Sequence, residues 1–519
     1  MTAATAPARA RPVRRIPLPA PARLLRMELR RNPMPWLLPL LAALFWLTTY
    51  RPAMANPPLW NVRGTMLQEQ TVLAFAPLLA GVAAWAGSRE GRRGTGDLVA
   101  VTGLPRWAGR LAAWAAVTCW AEATYLAGVA VVYGITAHQA TWGGPLWWPV
   151  DVGAVTVAAA CAVGFAAGAL APSRFTAPLA AVVVFLALGA GAFALQHGAR
   201  ATYSQVWPLN AQGAFPPDTI GIFYPYLPDL AIAQIMFVGG LGTTALGGLG
   251  LPAVSGGRWL RGIAAAVTVV GLAVTGTAVG LAGTAKLEAH GIVIPALHDA
   301  ASDRPVAYTP VCSSGEIPVC LHPAFRALLP GVTTALAPLL RELAGLPGAP
   351  VRVTQVAVTT AAQTPSNGVD LGPPVISGHP PVLYLPLSNV TRPNGRTGLG
   401  AFTGELRDEF PPLLNAFVGL RVLNRPGSGG VIAGPSSPGA PAAIAVGMAL
   451  AQDAGLLSQP QQPGGTLPPG SRQSSGGNQL AQAGAASRFA ALPAATRHAW
   501  LLTHLSALRA GNITLSEIP

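Results

Sequence analysis

Seven stretches of this chain are apolar over about the length that a bilayer core demands, roughly 20 residues with a tolerance of ~17–25. They cover residues 35–50, 71–87, 111–137, 150–171, 176–195, 229–251 and 260–283. Only 10% of the residues are charged, against roughly 25% in an ordinary soluble domain, so the sequence reads as a membrane protein. The first run is short and carries Pro39, but Trp36, Trp46 and Tyr50 lie near its ends, where an aromatic belt would sit. A cleaved signal peptide is not expected, because 34 residues precede that run and Arg51 and Pro52 follow it in place of a cleavage site.

The formal charge of +14, with a pI near 10.7, would suggest nucleic acid in a soluble chain. Its distribution points elsewhere. The N-terminal segment and every second loop between runs hold 16 arginines and 3 acids, for a net +13. The remaining loops and the runs themselves are net −2, and the tail from Lys286, the only lysine, is net +3. Arginine accumulates on the cytoplasmic side of spans, so the N-terminus is expected in the cytoplasm of a multi-pass plasma-membrane protein. No nucleic-acid partner is expected; the lipid bilayer is.

An odd number of spans sends residues 284–519 to the far side. Cys312 and Cys320 flank a turn containing Gly315 and Pro318 and could close a small disulfide loop in an oxidising compartment; the alternative is two unrelated thiols. Six spans with a cytoplasmic tail would follow if one run were re-entrant. The expected fold is thus an α-helical membrane bundle of about seven spans followed by a mixed α+β extracytoplasmic domain. Residues 1–34 form a basic cytoplasmic segment, 35–283 the bundle and 284–519 the domain. Within the domain, helices are expected over 323–346, split by Pro330 and Pro338, and over 411–422, 440–457 and 493–509. Strands are expected over 351–360 and 382–387. Residues near 458–478, rich in Gln, Pro, Gly and Ser, are expected to be disordered.

Several chemistries lack their residues. The lone lysine follows no glycine-rich phosphate loop, no two histidines stand four apart around a glutamate, and no Gly-x-Ser-x-Gly elbow occurs. No catalytic residue, metal site or cofactor is therefore expected, and the chain is not expected to be an enzyme. Glu405, Asp408 and Glu409 form an acidic cluster better read as a solvated surface. Glu122 differs, because it falls mid-run, where a carboxylate costs roughly 2.5–3.5 kcal/mol unless it faces the bundle interior or is protonated. Substrate contact, a moving helix interface and a satisfied interhelical hydrogen bond all remain open for it. The glycines of the sixth run, from Gly239 to Gly250, suit close approach of a neighbouring helix.

A basic amphipathic stretch, Arg23-Leu-Leu-Arg-Met-Glu-Leu-Arg-Arg31, precedes the first run. After the second comes Ser88-Arg-Glu-Gly-Arg-Arg-Gly-Thr-Gly-Asp97, then Thr102-Gly-Leu-Pro-Arg106. Together these resemble the membrane subunits of type-2 ABC exporters. The resemblance implies an interfacial connecting helix and, at Glu90, Gly94, Thr95, Gly96, Asp97, Pro105 and Arg106, a coupling loop that docks on a separate ABC ATPase subunit. It also implies a second permease copy or paralogue as partner. That family usually has six spans with both ends cytoplasmic, and this chain departs from it in its span count and its large tail. The other reading is a membrane-anchored extracytoplasmic binding or sensing protein.

Overall fold

The computed structural model describes residues 20–94, 106–196, 206–208, 220–253, 258–288, 291–357, 362–363, 369–370, 374–387, 410, 413–419, 422–423, 432–433, 439–455 and 476–519. The fold is mostly helical, with one small mixed sheet. A short basic helix, α1 (Ala20–Arg31), leads into a bundle of seven. These are α2 (Met34–Ala55), α3 (Trp60–Arg93), α4 (Arg106–Gln139), α5 (Trp147–Leu170), α6 (Thr176–Gln196), α7 (Asp229–Ala253) and α8 (Arg258–Ala282). Every apolar run of the sequence is a helix. Two of the helices pass through a single π-helical stretch, α2 at Trp46–Tyr50 and α3 at Thr71–Phe75. Such bulges are frequent at functional sites.

The second run is only half of its helix. α3 begins at Trp60, eleven residues before the hydropathy rises, because Met66, Leu67, Gln68, Glu69 and Gln70 are good helix formers although three of the five are polar. Arg63, Gln68 and Glu69, which hydropathy assigns to a loop, therefore stand on the helix.

Small residues set the packing distances. A Cβ added to Gly164 or Gly168 of α5 would lie 2.1 Å or 2.0 Å from the carbonyl oxygens of Ala80 and Ala84 on α3, so the two backbones meet along a small-xxx-small seam. Gly240 of α7 and Gly271 of α8 are in similar mutual contact, each 2.7 Å from the other's carbonyl oxygen by the same measure. This is the close approach expected of the sixth-run glycines, although a Cβ at Gly248 would meet nothing.

Beyond α8 a hairpin, β1 (Lys286–Glu288) with β2 (Gly291–Val293), opens the C-terminal domain. Its sheet comprises β3 (Val311–Cys312), β4 (Val319–Leu321), β5 (Arg352–Val356), β6 (Val375–Ser377) and β7 (Val382–Pro386), in the order β3-β4-β5-β7-β6. The three central strands are parallel and the outer two antiparallel. Helices α9 (Leu329–Leu343), α10 (Ala440–Asp453), α11 (Gly476–Ala491) and α12 (Ala494–Arg509) complete the domain. Leu336, Leu339, Val353, Leu383, Leu385, Val446, Leu450, Leu501 and Leu505 share its core, and Leu59, Val62 and Phe223 from the bundle enter the same core. The domain is seated on one end of the bundle; α1 lies at the other, arginine-rich end.

Several boundaries differ from those expected. The helix over 323–346 is interrupted at Leu328 and Leu329, where a 3₁₀ turn (Pro323–Leu328) gives way to α9. Pro330 falls in the first turn of α9, where its missing N–H is harmless, and Pro338 sits inside the helix without ending it. The strand expected over 351–360 is five residues long, and only 413–417 of the 411–422 segment are helical among the described residues. Residues 476–478 of the stretch expected to be disordered begin α11; the rest of that stretch, and Glu405, Asp408 and Glu409, lie outside the described residues.

Among the described residues, seven helices are long and apolar enough to cross a membrane, which fits a multi-pass membrane protein. One of these seven, Pro323–Leu343, belongs to the domain. Val332, Leu336, Leu339, Leu340 and Leu343 form its buried stripe, so length and hydropathy do not separate it from a span but packing does. Apolar α6 takes the remaining place in the bundle.

Candidate functional site

At the arginine-rich end, three segments distant in sequence meet. The apolar side of α1 lies along α4, fixed by a hydrogen bond from Trp120 Nε1 to the Leu29 carbonyl at 3.2 Å. Its Glu28 carboxylate accepts from Arg89 Nη2 at 3.0 Å, at the point where α3 turns into its last, basic residues. One residue on, Glu90 lies 3.7 Å from Arg110 Nε at the base of α4. Arg92 folds back over Trp85 and donates to its carbonyl. The helix then stops at Gly94, whose φ of +63° closes it in the left-handed conformation. The result is a ledge carrying α1 and the end of α3 as one piece. Of the residues that the resemblance implies, Glu90, Gly94 and Arg106 are on this ledge or its α4 margin. Thr95, Gly96, Asp97 and Pro105 lie outside the described residues.

Glu122 projects from the middle of α4, half-buried, beside the Cys161 thiol of α5, and its Oε1 has no hydrogen-bond partner among the described residues. Of the readings left open, the satisfied interhelical bond does not describe that oxygen. Nearer the domain, Arg63 of α3 is 2% exposed and is held by neutral groups, donating to Thr136 Oγ1 at 3.0 Å and Gln139 Oε1 at 2.7 Å. Gln68 is fully buried and donates to the Pro208 carbonyl and to Gln234 Oε1. Arg63 and Gln68 escape a hydropathy scan because each lowers the average of its own window. Their spacing on a run of good helix formers was the available signal.

Where the domain meets the bundle, His322 is the centre. It is fully buried, with the rings of Tyr308, Trp142 and Phe223 at 4.3, 5.0 and 5.2 Å. Trp142 follows α4 and Phe223 precedes α7, so the ring touches two bundle connections at once. Its Nδ1 accepts from the Ala324 N–H and its backbone N–H donates to Gln355 Oε1, which leaves Nε2 as the protonated nitrogen. Burial among these rings pushes its pKa down to about 4. Two further bonds, Thr141 Oγ1 to the Pro323 carbonyl and the Val306 N–H to the Phe223 carbonyl, secure the same junction. At the base of α7, buried Asp229 accepts from the Ile294 N–H and lies 3.2 Å from His298 Nδ1, whose Nε2 is 2.9 Å from Asp303. No local pattern announces this junction, since Trp142, Phe223 and Tyr308 come from three separate connections.

Cys312 and Cys320 face each other across the β3–β4 pairing and are joined as a disulfide. Cys119 is exposed on the bundle and Cys161 buried. Among the described residues, no three His, Cys, Asp or Glu side chains gather in a metal-binding group. Comparison with family models, curated proteins and solved structures finds no match.

Proposed function

We propose that this chain is the membrane-spanning subunit of an ABC-type exporter, with its arginine-rich end in the cytoplasm and its C-terminal domain outside the plasma membrane. A separate ATPase supplies the energy and a second copy or paralogue completes the pathway. The observation that carries the reading is the ledge: Glu28 ties a basic amphipathic helix to the end of α3 through Arg89. Amphipathic basic helices lie at anionic membrane surfaces. A helix so placed and ion-paired to the α3–α4 connection transmits a push on that connection into the bundle. The charge asymmetry of the loops supports the orientation, and the disulfide suits an oxidising compartment for the domain.

The alternative, a membrane-anchored extracytoplasmic binding or sensing protein, draws on the His322 junction, which couples the domain firmly to the bundle. The two readings part on the ledge. An exporter subunit loses its ATPase when the ledge is disrupted by Glu28→Arg, whereas a sensor is indifferent to it. Affinity purification of the wild-type chain and of the Glu28→Arg chain, with the nucleotide-hydrolysing activity of each preparation measured, separates them.

A further inference from the structure

Where the end of α3 meets the start of α6, two arginines and two aromatic rings share one corner of the bundle. Gly81, Trp85 and Arg92 recur at intervals of four and seven residues, so they lie on one side of α3. That side faces α6, because a Cβ at Gly81 would lie 3.1 Å from both the Ala177 carbonyl oxygen and the Ala181 Cβ. Farther along α3, a Cβ at Gly91 would lie 2.5 Å from the Pro172 Cβ, in the turn between α5 and α6. Trp85 and Arg92 therefore occupy the same corner as Arg174 and Phe175, the two residues that precede α6. Each ring carries an arginine: the Arg92 guanidinium carbon is 5.2 Å from the Trp85 ring centre, and that of Arg174 is 4.8 Å from the Phe175 ring centre. Neither arginine is ion-paired among the described residues, whereas the neighbouring Arg89 and Arg110 are taken by Glu28 and Glu90. Arg92 uses one N–H on the Trp85 carbonyl, which leaves most of its five donors open.

Both rings are open to the surroundings, Phe175 at 64% and Trp85 at 43% exposure, as suits aromatic groups at the headgroup level of a bilayer. Farther from the arginine-rich end, α6 turns Leu179, Val182, Val183 and Leu186 outward. The corner thus passes from cationic through aromatic to apolar over a few turns, the order in which a phospholipid presents its phosphate, glycerol and acyl chains. We propose that this corner binds one anionic phospholipid. Its phosphate is forked between Arg92 and Arg174, a geometry that planar guanidinium groups favour. Its glycerol region lies against Trp85 and Phe175, and an acyl chain follows the outer face of α6. Two cations with no acid beside them select a headgroup of net negative charge over a zwitterionic one, whose ammonium would find no carboxylate there. A lipid so held joins the end of α3, which carries the ledge, to α6. The inference rests on the membrane reading of the bundle but not on the ATPase.

The test is native mass spectrometry of the full chain released from mixed micelles that contain phosphatidylglycerol and phosphatidylcholine with matched acyl chains. Wild type is compared with Arg92→Gln, Arg174→Gln, the double variant and Arg258→Gln. The last removes the same charge from the same end of the bundle but at the start of α8, which packs on α7. Wild type is expected to retain one phosphatidylglycerol in preference to phosphatidylcholine. Each single substitution at the corner is expected to weaken that retention about fivefold, the double variant to lower it to the phosphatidylcholine level, and Arg258→Gln to match wild type. Absence of a headgroup preference in wild type, or an equal loss in Arg258→Gln, overturns the site. Excess inorganic phosphate is expected to leave the lipid in place; displacement by it would show a free-anion site and overturn the lipid assignment. All four arginine-to-glutamine chains are expected to melt with wild type in detergent, and a corner variant that loses the lipid only because it melts lower would count against the proposal. A chain that stays in solution without detergent or lipid overturns the membrane reading and the site together, whereas one that requires them and shows no headgroup preference overturns the site alone.

Discussion

Glu28 and Arg89 stand 61 residues apart in sequence and meet at 3.0 Å, joining the helix before the bundle to the end of its second helix. Both side chains are partly exposed, so the pair contributes only about 0–1 kcal/mol to stability. Glu28→Arg is expected to leave the melting temperature nearly unchanged while reducing ATPase recovery, and Glu28→Arg with Arg89→Glu is expected to restore it. A large drop in melting temperature in the single variant would show the pair to be structural rather than positional.

The His322 junction makes the stability of the domain depend on pH. Burial lowers the folded pKa to about 4 from 6.5, so between those values the unfolded chain binds a proton that the folded chain refuses. Stability is therefore complete above pH 6.5 and declines as pH falls towards 4. Thermal unfolding followed by domain tryptophan fluorescence across this window should show that decline, and His322→Phe should flatten it. His322→Ala, which empties the space between Trp142, Phe223 and Tyr308, is expected to cost about 2–4 kcal/mol.

Reduction of the Cys312–Cys320 bond frees a loop with a sequence separation of 8. The chain-entropy relation gives about 2–3 kcal/mol for a loop of that size. Reductant is expected to lower the melting temperature of the wild-type chain and to leave Cys312→Ser unaffected. Equal sensitivity in both would place the effect elsewhere.

Glycines of the bundle divide sharply. Gly168→Val drives a side chain into the Ala84 carbonyl and is expected to abolish the folded bundle or cost more than ~3 kcal/mol. Gly109→Ala and Gly248→Ala, where an added Cβ meets nothing, are expected to be neutral or mildly stabilising through helix propensity. Fluorescence size-exclusion profiles after heating rank the three directly.

The bundle was legible because bilayer-length apolar runs are written locally, residue by residue, and each of the seven is a helix. What escaped was whatever depends on averaging or on distance. Trp60–Gln70 of α3 fell below the hydropathy average through Arg63, Gln68 and Glu69, although its helix propensity was sound. The apolar stripe of α9 resembles a span until its packing against the sheet is seen. On the ledge, Glu90, Gly94 and Arg106 were singled out only through a resemblance to a family loop, which leaves their proposed role a proposal, and Glu28 gained its place there only from Arg89. Glu122 stood out as a charge in an apolar run.

Purification of the intact chain in lipid nanodiscs, with ATP hydrolysis and composition measured together, tests the proposed coupling to an ATPase. A separate ATPase subunit is expected to accompany the wild-type chain in fixed ratio and to be depleted from the Glu28→Arg preparation. A wild-type preparation that is folded, free of any ATPase and identical in composition to the Glu28→Arg preparation would contradict it.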